Sequence, residues 1–428
     1  MAFNTDIALR SSIIYSIYVR SHTEEGTFLS VIPDLPRIKA LGTDIIWFMP
    51  IHPIGVKGKK GSLGCPYANR DYRTVNPCYG TMDDFKTLVE AIHTLGMKCM
   101  IDVVYNHTSP DAVLVSEHPD YYYRKPDGSL GGKTADWSDV IDLDYDNPAL
   151  WDYQIESLRM WASIVDGFRC DVASFVPLEF WRKAKEQVAE INPECIWLAE
   201  SVHGSFSAMN RARGVYCATD SELFSVFDME YEYDVREVFD AYLRGEAPLS
   251  SWTSALNVQE AAYPDNYIKM RCLENHDQPR IASLVSDERS RRNFTAMLYF
   301  MKGSTLLYAG QEFSDTHQPS LFEKEPIPRS EEGNISSFLQ KLAEVKKNSL
   351  SPKDYFLAAA DDASDIAIFC RDDGKHKKYG FFSLKGKEAD VHVSIPDGEY
   401  TNLIDSLPVH VASGILRLSG EPVIISDE

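Results

Sequence analysis

Three acidic residues stand where a short apolar run gives out. Asp171 closes Gly167-Phe-Arg-Cys-Asp171, Glu200 closes Ile196-Trp-Leu-Ala-Glu200, and Asp277 closes Met270-Arg-Cys-Leu-Glu-Asn-His-Asp277. Two carboxyl groups facing one bond can divide the work of glycosidic cleavage. An ionised one attacks the anomeric carbon and a protonated one donates to the leaving oxygen, with about 5–5.5 Å between them when configuration is retained. Arg169 lies two residues before Asp171, so both share one face of an extended strand while Cys170 takes the other. Charge pairing with Arg169 is expected to hold Asp171 ionised, as a nucleophile requires. Glu200 follows a run containing Trp197, and desolvation there is expected to keep it protonated, as a general acid requires. A fourth segment, Cys99-Met-Ile-Asp-Val-Val-Tyr-Asn-His107, is a buried-strand pattern interrupted by Asp102 and closed by Asn106 and His107. Taken singly, these residues have bland alternatives: a structural Arg-Asp pair, a solvated strand-end Glu200, a helix N-cap at Asp277. Four such strand ends in one chain imply a shared rim.

The elements that would carry this rim alternate regularly. Strands are expected over 12–19, 44–49, 98–105 and 167–171, with a fifth ending at Glu200, a sixth over 223–229, a seventh ending near Asn275 and an eighth over 304–308. Helices fall between them, at 31–41, 83–95, 148–162, 178–190 and 336–347. Pro50 stops the second strand, and the helix beginning at Asp83 opens with the acidic residues that its positive end favours. No long element is expected between Thr108 and Asn147, which marks an insertion after strand three. Beyond residue 348 short strand-like segments alternate with Gly, Pro and Asp turns, the pattern of a small all-β unit. The fold class is therefore α/β: a (β/α)8 barrel over 1–107 and 148–348, an insertion over 108–147, and a β-sandwich over 349–428. The 428 residues leave room for both additions beyond the roughly 250 of a plain barrel.

Composition narrows the partners. With 43 basic against 64 acidic residues the net charge is −21, and neither nucleic acid nor an anionic membrane finds the basic footprint it needs. A neutral substrate fits better. No stretch reaches the ~20 apolar residues of a membrane-spanning helix, and Met1-Ala-Phe-Asn-Thr-Asp lacks the order of a signal peptide. The eight cysteines include no Cys-x-x-Cys pair and several fall in expected core strands, pointing to a reducing, cytoplasmic setting.

In order and spacing, Asp102-Val-Val-Tyr-Asn-His107, Gly167-Phe-Arg-Cys-Asp171, Glu200 and Glu274-Asn-His-Asp277 resemble the four signature segments of the α-amylase superfamily of glycoside hydrolases. Pro66-Tyr67, Asp71-Tyr72, Tyr79-Gly-Thr81, Asp142-Leu-Asp144 and Ala309-Gly-Gln-Glu312 are similar to it as well, and the resemblance spans about residues 12–348. It implies a catalytic barrel, an insertion after strand three and a C-terminal β-sandwich. It also implies Asp171 as nucleophile, Glu200 as proton donor and Asp277 as the acid that binds sugar hydroxyls and distorts the ring. His107 and His276 would bond hydroxyls of the same sugar, Tyr67 would stack on its face, and Asp102 would orient Arg169 or the rim from beneath. Trp137 and His203 would line neighbouring sugar sites. Asn106 matches a calcium ligand of such enzymes, so calcium is admitted without being required, and no other cofactor is expected. Ser174 and Phe175 replace a Lys-His pair common in secreted relatives, and Val172 also occurs in relatives acting on α-1,6 bonds. The expected activity is retaining hydrolysis of α-1,4 bonds in malto-oligosaccharides or starch-derived glucans. The alternatives are a 4-α-glucanotransferase, an α-glucosidase, and a noncatalytic glycan-binding barrel. The oligomeric state is not fixed by the sequence.

Overall fold

A computed structural model describes residues 5–133 and 137–427. Residues 1–4, at the N-terminal segment expected not to be a signal peptide, 134–136, within the expected insertion, and 428, at the end of the expected β-sandwich, lie outside the described residues. Eight parallel strands close a barrel: β1 Ile13–Ile17, β2 Ile45–Phe48, β3 Lys98–Val103, β4 Gly167–Cys170, β5 Ile196–Ala199, β6 Met229–Tyr231, β7 Lys269–Arg271 and β8 Ser304–Tyr308. Each pairs with its neighbours in sequence, and β8 returns to β1 through Ile13↔Thr305 and Ile14↔Leu306. Alternation sorts the side chains. Ile14, Trp47, Met100, Leu198, Met229, Tyr231 and Met270 fill the interior, while Phe48, Ile101, Phe168 and Trp197 pack outward among the helices. Gly167 is an inward position where a Cβ would come within 2.8 Å of the Ile196 carbonyl oxygen, so β4 and β5 approach closely only because it is glycine.

Three expected elements differ in the structure. The helix over 31–41 is broken into Phe28–Val31, a 3-10 turn Ile32–Asp34 and Leu35–Ala40, because Pro33 and Pro36 supply no N–H to an unbroken ladder. The sixth strand begins where it was expected to end. Asp220–Leu223 is a helical turn closed by the Thr219/Glu222 capping box, and the strand is Met229–Tyr231. The seventh strand stops at Arg271, and Asn275 forms a turn whose Oδ1 accepts from the N–H groups of Asp277 and Gln278.

The segment after β3 carries a short helix, Val113–Glu117, and a two-residue ladder of His107–Thr108 with Ile141–Asp142. After the helix Ser336–Asn348 come eight antiparallel strands in two sheets. One holds β9 Tyr355–Asp361, β10 Ile366–Asp372, β11 Lys377–Ser383 and β16 Val423–Ser426, the other β12 Ala389–His392, β13 Gly398–Thr401, β14 Pro408–Ala412 and β15 Ile415–Leu418. Ile366, Phe381 and Ile425 of the first share one apolar cluster with Val391, Val411 and Leu416 of the second.

Candidate active site

The site forms at the C-terminal rim of the barrel, where β3, β4 and β5 run out beside one another. Asp102↔Arg169 and Arg169↔Leu198 are in register, so Asp102 and Arg169 point inward side by side, with Asp171 and Glu200 one inward step beyond Arg169 and Leu198. The Arg169 guanidinium is fully buried and central. Its Nη1 donates to Asp102 Oδ1 at 2.9 Å and Oδ2 at 3.1 Å, and to Asp171 Oδ1 at 2.9 Å. Its Nη2 forms an ion pair with Glu200 Oε1 at 2.8 Å. The other Glu200 oxygen accepts from the backbone N–H of Val172 at 2.7 Å.

One cation facing three buried carboxyl groups governs their protonation. Burial pushes Asp102, Asp171 and Glu200 upward, Arg169 pulls each down, and the remaining carboxylates push up again. The pairing of Arg169 with Asp171 is present as expected, but desolvation outweighs it, so Asp171 is not held at a low pKa. A single guanidinium does not offset the burial and mutual repulsion of three carboxylates, so all three are raised and titrate as a linked set. The desolvation of Glu200 also has a different source from the expected one. Trp197 is three residues earlier and faces the opposite way, packed against Phe168, Trp181 and Phe227. Glu200 is instead buried by the rim itself.

Asp277 stands apart, with a side chain 42% exposed and one close partner, His276 Nε2 at 3.1 Å. It is not a helix cap: the next helix, Ile281–Leu284, has Arg280 at its N-cap. The His276 ring stacks on Tyr67, with centroids 5.3 Å apart and planes at 12°. Its Nε2 lies 2.7 Å from the Tyr67 hydroxyl, which also donates to Asp102 Oδ2 at 3.0 Å. Burial pushes His276 down to about 4, with Asp277 opposing and Arg169 adding, so the imidazole is neutral at physiological pH. His107 is likewise lowered by burial and receives the Asn106 amide on its Nδ1 at 3.1 Å. Tyr67, Asp102, Arg169, Asp171, Glu200, His276 and Asp277 are linked in this way by direct contacts. His107 lies at the mouth of the insertion, its ring 5.4 Å from that of Trp137. His203 stacks on Tyr233 at 4.6 Å.

Calcium takes six to eight oxygen ligands, and several polar groups around Asn106 are already engaged with other partners. Its amide faces His107, Asp142 Oδ2 accepts from the Lys133 N–H, and Asp139 is paired with Lys60. Among the described residues no group of three or more His, Cys, Asp or Glu is placed to hold a metal ion.

Four further groups bear on the site. Tyr231 receives the Arg169 Nε–H at 3.1 Å, Asn275 donates to the Tyr233 hydroxyl at 3.0 Å, and Gln318 donates to the His276 carbonyl at 3.0 Å. The fourth is the Val172 N–H. Tyr231 falls beyond the strand expected over 223–229, and only the observed strand Met229–Tyr231 makes it an inward rim residue by alternation.

A closed parallel barrel with buried acids gathered at its C-terminal rim is the architecture of a barrel enzyme. The sequence matches the alpha amylase catalytic domain over residues 13–140 and 134–355, and the bacterial alpha amylase C-terminal domain over 358–425. An alpha-amylase from Lactobacillus plantarum superposes with a TM-score of 0.94 at 42% identity, covering 99% of this chain and 100% of that one. The maltogenic alpha-amylase AmyB from Thermotoga neapolitana superposes with a TM-score of 0.86 at 32% identity, over 98% and 99% of the two chains. Among curated relatives, the probable oligo-1,6-glucosidase 2 of Bacillus subtilis (strain 168) is 26% identical over 378 residues, 72% of this chain and 66% of the relative. Alpha-amylase MalA of Haloarcula japonica is 27% identical over 315 residues, 71% of this chain and 44% of the relative. The chain thus spans about half to two thirds of the length of these curated relatives. The chain belongs to the α-amylase family of glycoside hydrolases.

Proposed function

We propose that the protein hydrolyses α-1,4-glucosidic bonds in malto-oligosaccharides or starch-derived α-glucans with retention of configuration. The observation that carries this reading is the sharing of one guanidinium by Asp171 and Glu200. Two carboxyl groups held by the same planar fork favour the close spacing of roughly 5–5.5 Å used by retaining enzymes over the roughly 6.5–9.5 Å of inverting ones. Asp171 attacks the anomeric carbon, and the bond to the leaving oxygen breaks as Glu200 delivers its proton there. Glu200, now a carboxylate, takes a proton from water as that water attacks the glycosyl-Asp171 ester, which restores both groups. Asp277, exposed toward solvent, and the neutral imidazoles of His276 and His107 bind hydroxyls of the reacting sugar. Tyr67 presents its ring to that sugar, and Asp102 fixes Arg169 from below. No step runs through calcium. Eight free cysteines support a reducing, cytoplasmic setting, and among the described residues no helix is long and apolar enough to cross a membrane.

Val172 and the similarity to oligo-1,6-glucosidases favour a second reading, in which the same glycosyl-enzyme serves α-1,6 bonds or passes its sugar to another glucan. Incubation with maltoheptaose, and separately with isomaltotriose, distinguishes them by product size. Shorter chains from maltoheptaose support the first reading, added longer chains a transferase, and cleavage of isomaltotriose alone the α-1,6 activity. Proton NMR of the first product gives the anomer: initial release of the β-anomer would sink retention.

A further inference from the structure

We propose that Tyr231 is a positioning residue which sets how the Arg169 guanidinium is divided between Asp171 and Glu200. This rests on the proposed function above.

A guanidinium is a rigid planar fork of five N–H groups. Nη1 and Nη2 of Arg169 are committed to Asp102, Asp171 and Glu200. The N–H on Nε points sideways out of the fork, and its partner is the Tyr231 phenol oxygen at 3.1 Å. Because the group is planar, fixing the direction of Nε–H fixes the in-plane direction of the other two nitrogens. The anchor is stiff: Tyr231 is 1% exposed and wedged edge-on against Trp47 at 6.2 Å and Tyr233 at 5.0 Å. The guanidinium carbon lies 5.2 Å from the Trp47 ring, 5.2 Å from that of Tyr231 and 5.6 Å from that of Tyr67, so aromatic faces enclose the cation. Burial holds the Tyr231 phenol protonated, so it adds no charge to the site.

The titratable groups around Arg169 come from several strand ends: Asp102 in β3, Asp171 after β4, Glu200 after β5, Tyr231 in β6, His276 after β7 and Tyr67 from the loop after β2, with Asp277 behind His276 and Tyr233 behind Tyr231. Asp102 engages Nη1 through both oxygens, so without the Nε anchor the fork turns toward Asp102 and withdraws from the other two acids. Each then loses part of the positive charge that favours its ionised form, and both bind protons more tightly.

Replacing the hydroxyl by hydrogen in Tyr231→Phe keeps the ring. The expected result is a fall in kcat on maltoheptaose of roughly tenfold with KM changed by less than about twofold, as for a defect in transition-state geometry. Both limbs of the kcat/KM profile shift to higher pH by about half a unit or more, the acid limb through Asp171 and the alkaline limb through Glu200. A packing role would lower the melting temperature and leave the limbs in place. A folded Tyr231→Phe with an unmoved profile and kcat within about twofold of the parent overturns the proposal. Site-specific 3,5-difluorotyrosine at position 231 keeps ring and hydroxyl but weakens the oxygen as an acceptor. If Tyr231→Phe fails to fold, this variant decides: a shift of both limbs in the same direction supports the role, and an unmoved profile overturns it. Asp171→Asn is assayed in parallel. Activity surviving there refutes the proposed function, whereas an inactive Asp171→Asn beside an unaffected Tyr231→Phe refutes only the role of Tyr231.

Discussion

The N–H that Val172 gives to Glu200 Oε2, at 2.7 Å, comes from a backbone in the left-handed region, with φ 35° and ψ 46°. A β-branched residue is strained there, at a cost of about 1–2 kcal/mol. The turn is held by its surroundings: β4 ends one residue before Asp171, the Asp171 N–H still donates to the Val103 carbonyl, and the Phe175 N–H returns to the Val172 carbonyl. The peptide unit joining Asp171 to the strained Val172 carries the N–H that Glu200 accepts, which ties the geometry of the two proposed catalytic acids to one peptide.

Val172→Gly removes side-chain packing but also removes this strain, and the N–H remains in place. Its net cost is expected to stay within about 1 kcal/mol. Val176, fully buried with an ordinary extended backbone, has no strain to release, and Val176→Gly should cost about 3 kcal/mol. Urea unfolding of the pair checks the contrast, and equal losses would contradict it.

The two acids are expected to respond differently to leaving-group chemistry. Asp171→Asn should reduce kcat by roughly 10³-fold or more, about 4 kcal/mol, on every substrate. Glu200→Gln should be as damaging with maltoheptaose but far milder with an aryl maltoside whose phenolate leaves without a proton. Steady-state kinetics on both substrates is the measurement, and loss of equal size on both for Glu200→Gln would exchange or dissolve the roles.

Burial raises Asp102, Asp171 and Glu200 above their unfolded values. Between about pH 4 and their native titration the folded state therefore binds more protons than the unfolded chain. Their contribution is full below the unfolded pKa and is lost as pH rises through the folded one. Glu200→Gln, which cannot ionise, should gain melting temperature relative to the parent at pH 8 and lose that advantage near pH 5. Calorimetry at the two pH values tests the sign; a difference independent of pH would contradict it.

Lys346, on the helix Ser336–Asn348, is 2% exposed and donates to the carbonyls of Tyr299, Met301 and Gly303 at 3.3, 3.5 and 2.8 Å. These oxygens end the helix Glu288–Phe300 and lead into β8. Lys346→Met keeps the apolar stem and leaves the three acceptors unpaired, so it should cost about 2–4 kcal/mol in urea unfolding without altering KM.

Much of this was legible in the sequence because parallel barrel strands are buried on both faces and read as unbroken apolar runs. A charged residue at the end of such a run, like Asp171 or Glu200, stands out for that reason. What escaped was whatever depends on direction or distance. Trp197 is beside Glu200 in sequence, yet its ring faces the helices. Tyr231 is 62 residues from Arg169, and a three-residue strand carries too little periodicity to place it. The net protonation of the acids depends on desolvation, which no local pattern records.

The seam between β1 and β8 has a consequence for how the chain is made. Ile13 pairs with Thr305, so the first strand waits for nearly 300 further residues, roughly 15–60 s at ribosomal rates of about 5–20 residues per second. Through that interval the edge formed by Ile13-Ile-Tyr-Ser-Ile17 is open, and the nascent half-barrel depends on slow, long-range pairing to close it.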